Sequence, residues 1–185
     1  DYLIDLTTVN FDMSDLQLFL KERIINYLTE RKYQKKVVEA VVKQYKLDIL
    51  PMLPRVIAEI TEFISSDPGM RFLAVYKRVF NLLSSNNELI RSEKKFSKEH
   101  ATEDDKTLQN QLTLLKDKVE ECLQHKDFKK ALLSLVSIVD PVNQFLDNTQ
   151  VNCEEKELRN LRYSLLSQIS ETTDNIVVFS GFDKK

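Results

Sequence analysis

The chain has 185 residues, enough for one sizeable core or for two small helical subdomains. Only two Gly and four Pro accompany abundant Leu, Lys and Glu, which favours helix and argues against a sandwich, a barrel or a nucleotide-binding sheet. The net charge of −2 excludes a polycation, so any nucleic-acid contact must use local patches rather than bulk charge.

The charge is unevenly spread: residues 1–98 carry a net of +3 and the remainder a net of −5. A mean hydropathy of −0.33, no apolar run near the roughly 20 residues of a membrane span and no signal-peptide pattern suggest a soluble, cytoplasmic setting. The two cysteines, Cys122 and Cys153, have no CxxC spacing and no His cluster nearby, so zinc is not expected. Few cysteines agree with a reducing compartment.

In chain order, residues 1–13 open without an initiator Met and read as an irregular entry segment, an excerpt of a longer polypeptide. Ser14 to Gln17 has the spacing of a capping box. It opens a helix with Leu16, Phe19, Leu20, Ile24, Tyr27 and Leu28 on one face, followed by Arg31, Lys32, Lys35 and Lys36. A second helix over 34–45 sets Val37, Val38, Val41 and Val42 inward. Their β-branching disfavours helix, so tertiary packing must hold it.

Pro51 and Pro54 suit the first turn of a third helix that runs to Ile64. Asp67 as cap and Pro68 at the first position open a fourth, to about Leu83, with Phe72, Val75, Val79, Leu82 and Leu83 inward. Tyr76, Lys77, Arg78 and Asn81 fall on its other surface. The stretch 84–106 is the most polar and reads as a connector between a first subdomain, 14–83, and a second, 107–185.

From Asp104 or Asp105 a long helix carries Leu108, Leu112, Leu115, Val119 and Cys122 at steps of four and three, a seam for antiparallel packing. Asp127 caps the next helix, which Asp140-Pro141 kinks or restarts. After a polar turn a last long helix carries Leu158, Leu161, Leu165, Leu166 and Ile169 as an apolar stripe. Arg159 and Arg162 share a stripe that points away from it. Ile176, Val177, Val178 and Phe179 form a short apolar tail that would cap the bundle. The fold class is all-α, a helical bundle.

Catalytic signatures are missing. No Gly-rich phosphate loop, HExxH, GxSxG or Walker pattern occurs. His100 and His125 read as surface residues, and the acidic runs at 103–105 and 154–155 sit where helix dipoles explain them. Basic and aromatic surface remains. Tyr76, Lys77, Arg78 and Asn81 combine a stacking ring, two cations and an amide, the mixture that single-stranded RNA requires. Arg159 and Arg162, with Arg55 and Arg71, could extend that patch; ordinary solvated ion pairs are the competing reading. Tyr27, Tyr33 and Tyr45 read as core-edge residues with wet hydroxyls.

Four segments carry a family resemblance in order: FLKERIINYLTERKY at 19–33, FLAVYKRVFNLL at 72–83, KDFKKALLSLVSIVDPVNQFLDN at 126–148 and FLDNTQVNCEEKELRNLRYSLLSQI at 145–169. Together they resemble the C-terminal region of the bacterial glycyl-tRNA synthetase β subunit, of the α2β2 type. The resemblance implies an all-helical anticodon-binding domain of the class also found in arginyl-tRNA synthetases. It implies the anticodon arm of glycine tRNA and the synthetase α subunit as partners, and neither a membrane nor DNA. The complete enzyme would attach glycine to tRNA using ATP and magnesium at the α subunit, with no cofactor or catalytic centre in this segment.

Within that resemblance, Tyr76, Lys77, Arg78 and Asn81 fall on the family's YKR segment, and Arg159 and Arg162 on its RxxR. These six are the candidate RNA-binding residues. Leu161 stands where the family has Asn, and Thr149-Gln150-Val151 is more polar than usual. A helical protein–protein scaffold is the competing function, motivated by the seam at 108–122 and the tail at 176–179.

Overall fold

The computed structural model describes residues 13–45, 47–85 and 101–182. The entry segment before Met13 and most of the polar connector, with Leu89, Ile90, Phe96 and His100, lie outside the described residues. Among the described residues eight α-helices follow one another: α1 (Met13–Glu30), α2 (Lys35–Gln44), α3 (Leu53–Ser65), α4 (Asp67–Ser84), α5 (Glu103–Gln124), α6 (Phe128–Ser134), α7 (Val139–Asn148) and α8 (Lys156–Asp174). Tighter 3-10 turns occupy Leu47–Met52, Leu135–Ile138 and Phe179–Gly181. No strand occurs among the described residues, so the all-α class stands.

Local chemistry sets most boundaries. Helix α1 runs from Met13, which places Ser14 inside its first turn rather than at the cap. The four valines of α2 are buried. Burying a valine is worth about 1.5–3 kcal/mol, against a helix-propensity deficit of at most about 0.7 kcal/mol each, so packing wins. Pro51 belongs to the 3-10 turn, and Pro54 lies in the first turn of α3.

Ser66, not Asp67, caps α4, its Oγ accepting from the Gly69 N–H at 3.2 Å. The α3–α4 corner is tight: a Cβ on Gly69 would stand 1.8 Å from the Phe63 carbonyl oxygen, so only glycine fits. Thr102 and Asp105 form a capping box that opens α5. Asp127 caps α6 through a 3.1 Å bond from the Lys130 N–H. Pro141 falls in the first turn of α7, so the chain restarts there after the 3-10 turn rather than kinking one helix.

The seam of α5 (Leu108, Leu112, Leu115, Val119, Cys122) is buried and packs on α6, α7 and α8. Helix α3 packs on α6, and α4 on α7 and α8. One continuous core therefore joins the segments on either side of the connector. The tail closes it: Ile176, Val177 and Phe179 are buried, while Val178 is exposed. Phe179 lies edge-on to Phe72 at 5.2 Å and to Tyr76 at 5.8 Å. Two bonds latch α2 to the tail, from Gln44 Nε2 to the Asp174 carbonyl at 2.6 Å and from the Tyr45 hydroxyl to the Ile176 carbonyl. Tyr45 thus has no wet hydroxyl.

Helix α1 departs from expectation. Of its apolar face only Leu28 is buried, while Phe19 and Tyr27 are 56% and 52% exposed. Its stripe is amphipathic as read, but within this chain only part of it finds a partner. No helix among the described residues is long and apolar enough to cross a membrane.

Candidate nucleic-acid interface

Helix α4 supplies the centre of the candidate interface. Its inward residues fix the helix against the core, leaving Lys77, Arg78 and Asn81 exposed on the opposite surface at spacings that make them neighbours. Arg78 reaches across to α7: Nη1 donates to Asn143 Oδ1 at 2.8 Å and Nη2 to Asp147 Oδ1 at 3.0 Å. Both ionic partners are largely exposed, so the pair orients the guanidinium more than it stabilises the fold.

Beside Arg78 lies a groove of about 450 Å³, lined by Arg78, Asn81 and Leu82 of α4, Leu146 of α7, and Thr149, Val151 and Asn152 of the following turn. Three apolar side chains are ringed by a cation, two amides and a hydroxyl. A base can rest on the former while its edge or phosphate meets the latter. Sequence reasoning had Arg78 and Asn81 but missed Asn143, Thr149 and Asn152. The cluster of polar residues at 147–152 between two apolar runs marked a loop, but nothing in it told that the loop folds towards α4.

Arg159 and Arg162 do not face outward as their spacing suggested. Arg159 is half-buried and donates through Nη1 to the Cys153 carbonyl at 2.9 Å. Arg162 is only 7% exposed. Its Nη1 donates to the Gln150 carbonyl at 2.9 Å, and its Nε meets Asp105 Oδ1 at 3.2 Å. The physical reason is the hairpin: the turn after α7 folds over the start of α8 and covers both arginines, which satisfy its carbonyls. Asp105, fully buried, binds Arg162 with one oxygen. With the other it accepts from the Thr102 N–H at 2.8 Å and hydroxyl at 2.7 Å.

Tyr76 is likewise turned inward, 4% exposed, within a ring cluster that includes Phe72 and Phe179. Its hydroxyl donates to Asp174 Oδ1 at 3.3 Å. Burial, with the nearby Asp174 charge, pushes the phenol up to about 12. Burial also raises the Asp174 carboxyl above its ordinary value, opposed by the hydroxyls of Tyr76 and Ser170 and assisted by Glu171. Tyr76 is one residue from the exposed stripe, about 100° round the helix, so sequence spacing alone does not separate it from Lys77 and Arg78. The tail at 176–179 made that position internal.

Of the six candidates, then, Lys77, Arg78 and Asn81 present an open surface, Arg159 and Arg162 brace the turn that walls the groove, and Tyr76 anchors α4. Arg55 lies on α3, paired with Glu59 at 2.8 Å. His125 ends α5, its Nδ1 bonded to the Glu121 carbonyl at 2.8 Å. Cys122 is buried and Cys153 partly so, both as free thiols.

A groove with one cation, two amides, a hydroxyl and three apolar side chains on an all-helical scaffold can meet a polar ligand by shape and hydrogen bonding. The family model described as "DALR anticodon binding domain" matches residues 72–182, from the inward face of α4 to the end of the tail, and the chain belongs to that family. It is similar to proteins named glycine–tRNA ligase beta subunit: 25% identical over 175 residues to that of Paracoccus denitrificans (strain Pd 1222), covering 93% of this chain and 26% of the relative. The relative from Rickettsia typhi (strain ATCC VR-144 / Wilmington) is 32% identical over 118 residues, 64% of this chain and 17% of its own length. That of Sulfurihydrogenibium sp. (strain YO3AOP1) is 28% identical over 177 residues, 96% and 25%. The chain spans about a quarter or less of the curated relatives it matches.

Proposed function

We propose that this chain is the anticodon-recognising part of a bacterial glycine–tRNA ligase β subunit, and that it binds the anticodon arm of glycine tRNA in the groove between α4 and the turn after α7. The observation that carries the reading is the meeting of Arg78 and Asn81 with Thr149 and Asn152 inside the segment that matches the anticodon-binding family. Arg78 and Lys77 take phosphates, which hold the loop without reading it. Asn81, Asn152 and Thr149 take base edges, which discriminate. Arg159 and Arg162 act through the turn. In the complete enzyme, glycine activation with ATP and magnesium and the transfer step belong to the α subunit of an α2β2 assembly in the cytoplasm; this segment contributes tRNA affinity.

A helical scaffold without RNA specificity is the weaker reading. The two features that motivated it, the α5 seam and the apolar tail, are both consumed by the chain's own core. The test is binding of the 185-residue chain to a glycine anticodon stem-loop and to the same stem-loop with its anticodon cytosines replaced. The first should bind several-fold more tightly, and Arg78→Glu should weaken both. Equal affinity for the two stem-loops would reject specific recognition.

A further inference from the structure

Helices α1 and α2 pack on each other, and among residues 14–27 no side chain is fully buried. Their shared surface is basic. Arg23, Arg31, Lys32, Lys36 and Lys43 are all exposed. Among the described residues the ion pairs of this hairpin include only Lys35 with Glu39, at 3.8 Å. The guanidinium of Arg31 lies 4.5 Å over the Tyr27 ring, which holds it in place while leaving its donors to solvent.

The Tyr33 N–H returns to the Leu28 carbonyl at 3.3 Å and the Lys32 N–H to the Thr29 carbonyl at 3.0 Å, a paired closure that places Lys32 at φ 69°. Glycine adopts that conformation without strain and lysine does not. Lys126 takes the same position after α5, at φ 55°, so this chain closes two helices with a lysine there, where a cation complements the helix dipole. Lys36 and Lys43, seven residues apart on one face of α2, continue the line for roughly 10 Å at 1.5 Å per residue. Glu30 lines the hollow beside Tyr27 and Arg23, so the positive line runs along Arg31, Lys32, Lys36 and Lys43 instead.

We propose that this α1–α2 edge is a second RNA-contact surface, distinct from the groove, and that its occupant is the phosphate backbone of a double-helical stem of the bound tRNA. Charge complementarity selects that occupant: Arg31, Lys32, Lys36 and Lys43 are exposed, the carboxylate between the last two, Glu39, is paired with Lys35, and such a line of cations fits phosphates, which carry no sequence information. The inference rests on tRNA being the ligand. It adds that affinity comes from two places, one discriminating and one not.

The experiment titrates the 185-residue chain and its Lys32→Glu/Lys36→Glu variant with whole glycine tRNA and with the excised anticodon stem-loop, over a salt series. Both substitutions are on exposed side chains, and a melting curve verifies folding. The variant should bind whole tRNA several-fold more weakly, with a salt slope smaller by about 2, and keep its preference for the anticodon cytosines. Unchanged affinity and slope for whole tRNA would overturn the proposal. So would self-association of the parent chain that the double variant abolishes, since the edge would then be a protein contact. Loss of cytosine preference in both proteins with the slope change intact sinks the anticodon reading and supports this one. Lys32→Gly supplies an independent arm: its melting temperature should rise while tRNA affinity falls, and a rise with unchanged affinity counts against a contact at Lys32.

Discussion

Arg78 and Arg162 carry the same charge on neighbouring parts of the fold, and burial separates their duties. Arg78 is exposed beside an exposed Asp147, so Arg78→Glu should alter ligand affinity with little effect on the melting curve. Arg162 is enclosed with Asp105, and truncating one partner leaves a buried charge without compensation. Arg162→Ala should lower unfolding free energy by about 3–5 kcal/mol, read as a shift of the urea midpoint; an unmoved midpoint would mean that the pair is not buried in solution. Asp174 offers a pH test. Its carboxyl is raised by burial, so the folded state binds the proton more readily than the unfolded state, and stability falls as pH rises from the ordinary carboxylate range through the raised value. Asp174→Asn keeps an acceptor for Tyr76 and removes the charge. The variant should gain on the parent protein at neutral pH and match it near about pH 3, below the ordinary aspartate value; a gap independent of pH would exclude the effect. None of this was legible from the RxxR spacing. The spacing located a helical stripe correctly, but Asp105 lies 57 positions upstream of Arg162, and no local pattern names such a partner.

At the scale of elements, apolar spacing was a good guide wherever the stripe was covered by the chain itself. The α5 seam, the α2 valines and the tail, Val178 excepted, lie inward as expected. The same reasoning overstated α1, because an amphipathic stripe says which side wants cover and not whether cover exists. It also set Tyr76 on the wrong side, since a helix packed on two faces has a wider buried arc than one apolar stripe reveals. The tail is the element whose loss should spread furthest. Phe179 touches Phe63, Phe72, Tyr76 and Phe182, and the residues just before it latch α2. Phe179→Ala should cost about 3–5 kcal/mol, and amide exchange should quicken in α2 as well as α4. Quickening confined to the last residues would show the tail to be a local cap only.

For the whole molecule, composition settled the class and ordered resemblance indicated the family, while the site had to wait for the three-dimensional arrangement. The groove exists only because the turn between α7 and α8 is folded against α4, a juxtaposition spanning the connector. The reading of two subdomains on either side of that connector meets a single shared core and a family match that begins within α4. That arrangement has a consequence for how the protein is made. Phe72 and Tyr76 leave the ribosome roughly a hundred residues before Phe179, their ring partner. At translation speeds of about 5–20 residues per second, the aromatic face of α4 waits roughly 5–20 s without its cover. During that interval the nascent chain is a natural client for chaperones, and slow codons after α4 would lengthen its exposure.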